Sequence, residues 1–383
     1  MSFRYIKVKT KGQIEGEKLL VPKLRFKKFN NEYKKYKIGD TLKVKSGKDQ
    51  KLIECTNGKY PILGTGGQIG TTNNFLYDKP SVLIGRKGTI NKPQYMTTPF
   101  WTVDTLFYTD IKEGFNTKYI FYAFQNINWK KYDESTGVPS LSCKTIEEIL
   151  YYIPNKDEQD KISTFITLLD KKIELQQRRI EALKIYKKGL IQQLFNLNDC
   201  EEKHVSDFGN ILTGTTPSKA ISKYWTNGNI AWITPTDITE SKDIYTSNEK
   251  LTIDGLNAGK FIPAGSILIT CIASIGKNAI LKVNGSCNQQ INAIIPNDNF
   301  NPDYLYYLFE LKRDYLLSIA GTSATSIINK SAFEKLVFKV HDIKVQNKIA
   351  LILNCLELKF ETEKSKLAKL RLLKESLLQQ MFI

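Results

Sequence analysis

Three stretches of this chain carry residue types that do chemistry elsewhere. Asn301–Tyr304 reads NPDY, close to the [DNS]-P-P-[YFW] signature of amino-methyltransferases. That signature works with a methyl-donor loop of the form F-x-G-x-G, and none precedes it here. An Asn at a helix N-cap with Pro at the first helical position accounts for the same residues. Pro302-Asp303 followed by Glu310-Leu311-Lys312 imitates a PD…ExK nuclease pattern. Carboxylates that hold metal ions must converge from different elements, whereas these share one helix-forming stretch. Gly64–Gly70, GTGGQIG, has the glycines of a phosphate loop without the G-x-x-x-x-G-K-[ST] pattern or a following helix, so it reads as turns between strands. Six scattered cysteines without a C-x-x-C pair suit reduced thiols, and two histidines, His204 and His341, are too few for a histidine-built site. No catalytic or metal constellation survives; the alternative reading, a stand-alone DNA adenine methyltransferase or nuclease, lacks its donor loop.

Binding is the better-supported chemistry. The 383 residues carry a formal net charge of +17, which calls for a polyanion. The excess is concentrated at the start, where residues 1–37 hold 12 basic against 3 acidic side chains. No apolar run of membrane-spanning length and no signal peptide is present in the sequence, so a cytoplasmic location without a membrane partner is expected.

The elements that must position any binding residues come from an internal duplication. Residues 158–195 recur as residues 345–382, offset by 187 without a gap, with twelve of the thirty-eight positions identical. Both copies carry a four-three heptad seam, the signature of a coiled coil. The first seam runs Ile162, Ile166, Leu169, Ile173, Gln176, Ile180, Leu183, Lys187, Leu190 and Leu194. The second runs Ile349, Leu353, Leu356, Phe360, Glu363, Leu367, Leu370, Lys374, Leu377 and Met381. Polar residues interrupt the two at matching places. Upstream segments match more faintly: VSDFGNILTG from Val205 lines up with IGDTLKVKSG from Ile38, and FNPDYLYYLF from Phe300 with FNTKYIFYAF from Phe115.

The reading is an α+β chain with a basic segment (1–36), a globular domain (37–157), a long helix (158–197), a second globular domain (198–344) and a second long helix (345–383). Short apolar runs bounded by Gly, Asn and Pro make the domains small mixed sheets with helices. Antiparallel pairing of the helices would relate the halves by a pseudo-two-fold axis. A helix of about 38 residues spans about 57 Å, comparable to about 15–17 base pairs of duplex. Two unlike readers on such a rod would read a bipartite, asymmetric target.

The candidate contacts to duplex DNA lie in matching loops. In the first domain they are Lys43, Lys45, Lys48, Arg86, Lys87 and Lys92, with Arg86 a guanine reader by residue type. In the second they are Thr215, Thr216, Lys219, Lys223 and Tyr224, within GTTPSKAISKYW, with Ser218 and Trp225 beside them.

Taken in order, VPKLRF (Val21–Phe26), GRKGTIN (Gly85–Asn91), GTTPSK (Gly214–Lys219), GSILIT…SIGKNAI (Gly265–Ile280), CNQQINAI (Cys287–Ile294) and the duplicated P-x3-EQ-x-KI…KKGLIQQLF (Pro154–Phe195) resemble the specificity subunits of type I restriction–modification systems. The resemblance covers nearly the whole chain. It implies two target-recognition domains and two long helices that dock two methyltransferase subunits, with restriction subunits joining the full complex. S-adenosylmethionine would be held by the methyltransferase subunits, ATP with Mg²⁺ by the restriction subunits, and no cofactor by this chain. The second helix departs from the pattern, with Val345 in place of Glu158 and Ser376 in place of Gly189.

Overall fold

The computed structural model describes residues 3–5, 21–196, 199–320 and 327–383. Residues 1, 2 and 6–20 of the basic segment read at residues 1–36 therefore lie outside the described residues, as do positions 197 and 198 between the first long helix and the second domain. The chain forms two compact units, residues 1–177 with 365–383, and residues 178–364. Both boundaries fall inside the long helices, so each unit contains one globular domain, part of its own helix and part of the other.

In the first unit a four-stranded sheet runs in the order Leu42–Lys45, Leu106–Ile111, Ser81–Gly85, Gln94–Met96. Every residue of Ser81–Gly85 is buried, which suits a central strand covered on both faces. A second sheet places Tyr60–Gly64 between Gly67–Thr72 (antiparallel) and Trp101–Thr102 (parallel). Lys34–Lys37 pairs with Leu150–Ile153, the strand that leads into the first long helix. Helix Thr117–Gln125 packs its Tyr119, Ile120 and Phe124 into the core, capped by Asn116, whose side chain accepts from the Tyr119 amide at 2.8 Å.

The second unit repeats this plan. Its main sheet runs Gly209–Thr213, Ile291–Pro296, Ile267–Thr270, Asn278–Leu281, then adds Asp243–Ile244. Ile230–Ile233 lies between Glu249–Leu251 (antiparallel) and Gly285–Cys287 (parallel), as in the first unit's small sheet. Helix Pro302–Leu311 takes the place of Thr117–Gln125, and Asn301 caps it through the Tyr304 amide at 3.1 Å. The NPDY motif is thus a helix start.

The long helices run Lys156–Phe195 and Ile343–Met381. Equivalent side chains cap them: Asn155 accepts from the Glu158 amide at 3.0 Å, and Asp342 from the Val345 amide at 3.1 Å. Antiparallel pairing is visible within the second unit, where Lys187 meets Glu357 while the earlier Arg179 meets the later Glu363. In the first unit Asp170 meets Lys374 at 2.7 Å. The seam residues named from the sequence are buried or half-buried throughout, whereas Leu168, Leu175, Leu351 and Leu358, off the seam, are exposed.

Docking of helix to domain is duplicated as well. Gln159 accepts from the Asn116 amide and Gln346 from the Asn301 amide, both at 2.9 Å. The closing phenylalanines stack on tyrosines: Phe382 on Tyr119 with centroids 5.1 Å apart, Phe195 on Tyr304 at 4.8 Å. At the start of the first long helix stands a docking contact without a twin among the described residues. Arg25, 1% exposed, forks onto Glu158 through Nε at 2.7 Å and Nη2 at 2.6 Å, and Tyr33 donates to the same carboxylate. This explains the Glu158/Val345 departure: the acid answers the arginine of VPKLRF, which has no counterpart in the second half. Removing one partner of a buried ion pair leaves the other charge stranded. Arg25→Ala is expected to lower the unfolding free energy of the first unit by about 3–5 kcal/mol, read as a shift of the urea midpoint, whereas Arg25→Met with Glu158→Leu recovers most of the loss.

Candidate nucleic-acid interface

Three loops converge in each unit. In the first, the Lys48 amide donates to Thr102 O at 2.9 Å, the Arg86 amide to Thr105 O at 2.8 Å and the Lys87 amide to Thr105 O at 3.3 Å. Loops 46–50, 85–92 and 102–105 are thereby bound into one rim. In the second, the Thr215 amide donates to Cys287 O at 2.8 Å, the Gly214 amide to Ile291 O at 3.0 Å and the Cys271 amide to Gln290 O at 2.9 Å. Loops 214–219, 271–277 and 287–291 form the equivalent rim. Close approach at its root demands glycine: a Cβ on Gly47 would lie 2.0 Å from Val103 O, and one on Gly214 2.1 Å from Asn288 O.

On the first rim Lys48, Lys87 and Lys92 are exposed, whereas Lys43 is exposed within the strand Leu42–Lys45, opposite Asp110 and outside these loops. Arg86 is half-buried; its Nη1 donates to Asp104 O at 3.3 Å, which steadies the guanidinium. Cys143, at the start of helix Cys143–Glu148, is bonded by Ser46 and lies in the field of Arg86. Burial raises its thiol pKa above the ordinary range, so Arg86 faces a neutral neighbour. Lys45 differs from the other lysines. It pairs with Asp110 at 2.8 Å, and its hydrogen bond, with that of Tyr77, holds the Asp110 carboxyl below the usual range. Its charge is already answered inside the domain.

The second rim is more strongly preorganised. Trp225 and Trp232 meet edge to face at 4.9 Å, and the Lys219 ammonium sits 3.5 Å from the Trp225 centroid while pairing with Glu249. Indole N–H groups hold the loop: Trp225 donates to Ser218 O at 3.1 Å, Trp232 to Thr215 O at 3.0 Å. Thr216 donates to Gln289 Oε1 at 2.5 Å, Lys223 lies 3.7 Å from Asp254, and Tyr224 is half-buried. Two of the expected contact residues engage the domain itself. The Thr215 Oγ1 is buried with no hydrogen-bond partner among the described residues. Lys219, its side chain 49% exposed, also braces the loop by a cation–π contact.

Lys260 and Gln289 also stand beside this rim, outside the residues named from the sequence. Lys260 donates to Thr213 O at 2.9 Å from outside the loop motifs, and Gln289 is exposed on the rim. Cys271 and Cys287 beneath it have thiols pushed up to about 12 by burial, so both are inert and protonated. The PD…ExK residues are occupied elsewhere: Asp303 pairs with Lys242, and Glu310 accepts from Asn278 at 3.0 Å. Among the described residues no group of His, Cys, Asp or Glu is placed to hold a metal ion, and no helix is long and apolar enough to cross a membrane.

Comparison with known proteins places this geometry. The family model described as the type I restriction modification DNA specificity domain matches residues 30–184 and 198–372. The chain is 34% identical over 172 residues to the specificity subunit of type I restriction enzyme MjaIX from Methanocaldococcus jannaschii, covering 43% of this chain and 40% of that one. It is 32% identical over 232 residues to the EcoR124I/EcoR124II specificity subunit of Escherichia coli, covering 55% of each. The match thus spans about half the length of these curated relatives. In fold the chain is similar to the crystal structure of a type I restriction–modification S subunit from M. genitalium, with TM-score 0.64 at 15% identity, covering 95% of this chain and 99% of that one.

An unpartnered buried hydroxyl is a net cost, so Thr215→Val is expected to raise the unfolding free energy by about 1 kcal/mol, with DNA binding unchanged in a filter or gel-shift titration. A loss of binding would return Thr215 to the contact surface.

Proposed function

The chain belongs to the family of type I restriction modification DNA specificity domains, and from that premise we propose that it reads a bipartite, asymmetric duplex sequence, one half-site per globular domain. The observation that supports this best is the repeated rim: the same three loops, on the same strand order, carry different side chains in the two units. A shared scaffold with unlike loops suits two readers of unlike half-sites. The first rim offers cationic and guanidinium donors; the second offers Thr216, Gln289, Lys223 and Lys260. Lysines at phosphates supply affinity, and Arg86 supplies direct readout in the major groove.

The chemistry then belongs to partners. We infer that this chain is a non-catalytic subunit of the enzyme complex, docking two methyltransferase subunits and, in the full assembly, restriction subunits. S-adenosylmethionine would sit on the former, ATP and Mg²⁺ on the latter. Exposed apolar side chains recur at equivalent helix positions, Ile185-Tyr186 and Leu372-Leu373, all between 48% and 67% exposed. Two equivalent apolar patches suit two copies of one partner.

The test is to map methylated adenines in DNA from cells carrying this chain with a methyltransferase partner. Two short, unlike motifs at fixed separation are expected. Arg86→Ala should relax the preference at one base pair at a cost of about 1–3 kcal/mol; uniform weakening on all duplexes would make it a phosphate contact. Methylation or cleavage by the purified chain alone would overturn the non-catalytic reading.

A further inference from the structure

We propose that loop 133–141 is a fourth element of the first unit's rim, and that Val138 at its tip contacts the C5 methyl group of a thymine in the first half-site. The rim would thus read an A·T pair as well as the base read by Arg86. The inference deepens the bipartite reading above and rests on it.

The loop is stitched to the one that carries Arg86. The Leu141 amide donates to Arg86 O at 2.9 Å, and the Gly88 amide to Pro139 O at 2.8 Å. Between these bonds Ser140 lies opposite Lys87 in an antiparallel bridge. The loop is also closed on itself. Asp133 Oδ1 accepts from the Ser135 amide at 3.0 Å and from the Ser140 amide at 2.9 Å. The Ser135 hydroxyl lies 2.9 Å from the same oxygen and 2.7 Å from Val138 O, and the Glu134 amide donates to Ser140 O at 3.0 Å. The amides of Ser140 and Ser135 hold the Asp133 carboxyl below the usual carboxylate range, so it remains an acceptor at neutral pH. The second unit repeats the stitch: the Ile328 amide donates to Cys271 O at 2.9 Å, and Ile327 lies opposite Ile272.

A lone exposed apolar side chain is ordinary on a protein surface; Val138 differs in its mounting. It is 66% exposed on a segment whose backbone is fixed on both sides of it. Among the described residues of loops 46–50, 85–92, 102–105 and 133–141 it is the exposed large apolar side chain, in company with the exposed Lys48, Lys87 and Lys92. An isopropyl group neither donates nor accepts, so it gains nothing from a phosphate or from the polar edge of a base. The major groove presents one apolar group on unmodified bases, the thymine C5 methyl, and small apolar side chains read it by contact. A tip already held by its own bonds loses little conformational freedom on docking. In the register that sets Ser140 opposite Lys87, Val138 falls opposite Thr89, three residues on from Arg86. That is about 10 Å of strand, or about three base pairs, which bounds how far the thymine lies from the base that Arg86 reads.

The experiment uses the assembled methyltransferase complex carrying wild-type chain or Val138→Ala. Each is titrated against the mapped target and against duplexes in which each thymine in turn is replaced by deoxyuridine. That exchange deletes the methyl and keeps every hydrogen-bonding group of the base. At one thymine the wild-type complex is expected to lose about fourfold in affinity, the factor that one methyl group withdrawn from water carries. Val138→Ala should bind the native duplex about fourfold less tightly and lose nothing further at that thymine. Its unfolding midpoint should match wild type, because the side chain is exposed. If methyl dependence vanishes in Val138→Ala at no thymine, the inference is overturned. A Val138→Ala loss that is the same on thymine and deoxyuridine duplexes overturns it too, by making Val138 a contact to the DNA backbone or to a partner subunit. A wild-type complex that ignores half-site sequence would remove the bipartite reading itself, whereas sequence preference without methyl dependence removes only the thymine contact.

Discussion

The structure depends on each long helix serving two hydrophobic cores. The first helix buries Ile162, Ile166 and Leu169 in the first unit's core and Ile191 in the second's. The second helix buries Ile349, Ala350 and Leu353 in the second unit and Leu377, Leu378, Met381 and Phe382 in the first. Neither domain completes its core with its own helix alone. Stability of one unit is thereby coupled to a segment that begins in the other, so a defect at either end of a helix is felt as loss of packing and not only as loss of a contact. Burial at this scale is worth far more than any single hydrogen bond at the junction.

Given that constraint, the polar contacts assign positions. Gln159 and Gln346 fix where a domain helix meets its long helix, through amide donors that any sequence at Asn116 or Asn301 would supply except proline. The stacked pairs Phe382–Tyr119 and Phe195–Tyr304 then fix where the other helix ends. The rims are held by backbone hydrogen bonds among loops, with Ile90, Cys271 and Ile275 rooting them in the cores while the rims' polar side chains face outward. Change of loop side chains alters what a rim presents without disturbing how a domain is mounted. That separation is the physical basis for two unlike surfaces on one repeated scaffold.

The plan was legible in the sequence because it is periodic. The 187-residue offset, the four-three seam and the Asn caps at Asn116 and Asn301 all depend on local spacing, which the chain displays directly. What stayed hidden depends on residues distant in sequence. Arg25 and Glu158 are 133 positions apart, and only a fold shows that the VPKLRF arginine explains the acid at the helix start. The bracing of Lys219 was hidden because a lysine in a polar loop carries no sign of two tryptophans folding beneath it. The burial of the Thr215 hydroxyl was hidden for the same reason, since the Trp232 indole bonded to its carbonyl comes from another strand. Lys260 escaped because it reaches the rim from outside the loop motifs.

The second unit's extra residues show how a duplicated scaffold absorbs divergence. Where the first unit places Lys118 over the Tyr95 ring at 3.9 Å, the equivalent position in the second is Asp303, paired with Lys242. The sign of the charge at the helix start is reversed, and the added strand Asp243–Ile244, parallel to Asn278–Leu281, brings the answering lysine beside it. Lys242 then reaches Asn354, which accepts from the domain tyrosine Tyr307 and stands where Thr167 shares a hydrogen bond with Tyr122 in the first unit. Three substitutions and one short strand thus conserve a single function, anchoring the domain helix against its long helix. Without Asp303 the buried Lys242 would keep, among the described residues, only the longer ion pair to Asp243 at 3.9 Å, so the lysine and the acid at the helix start support each other.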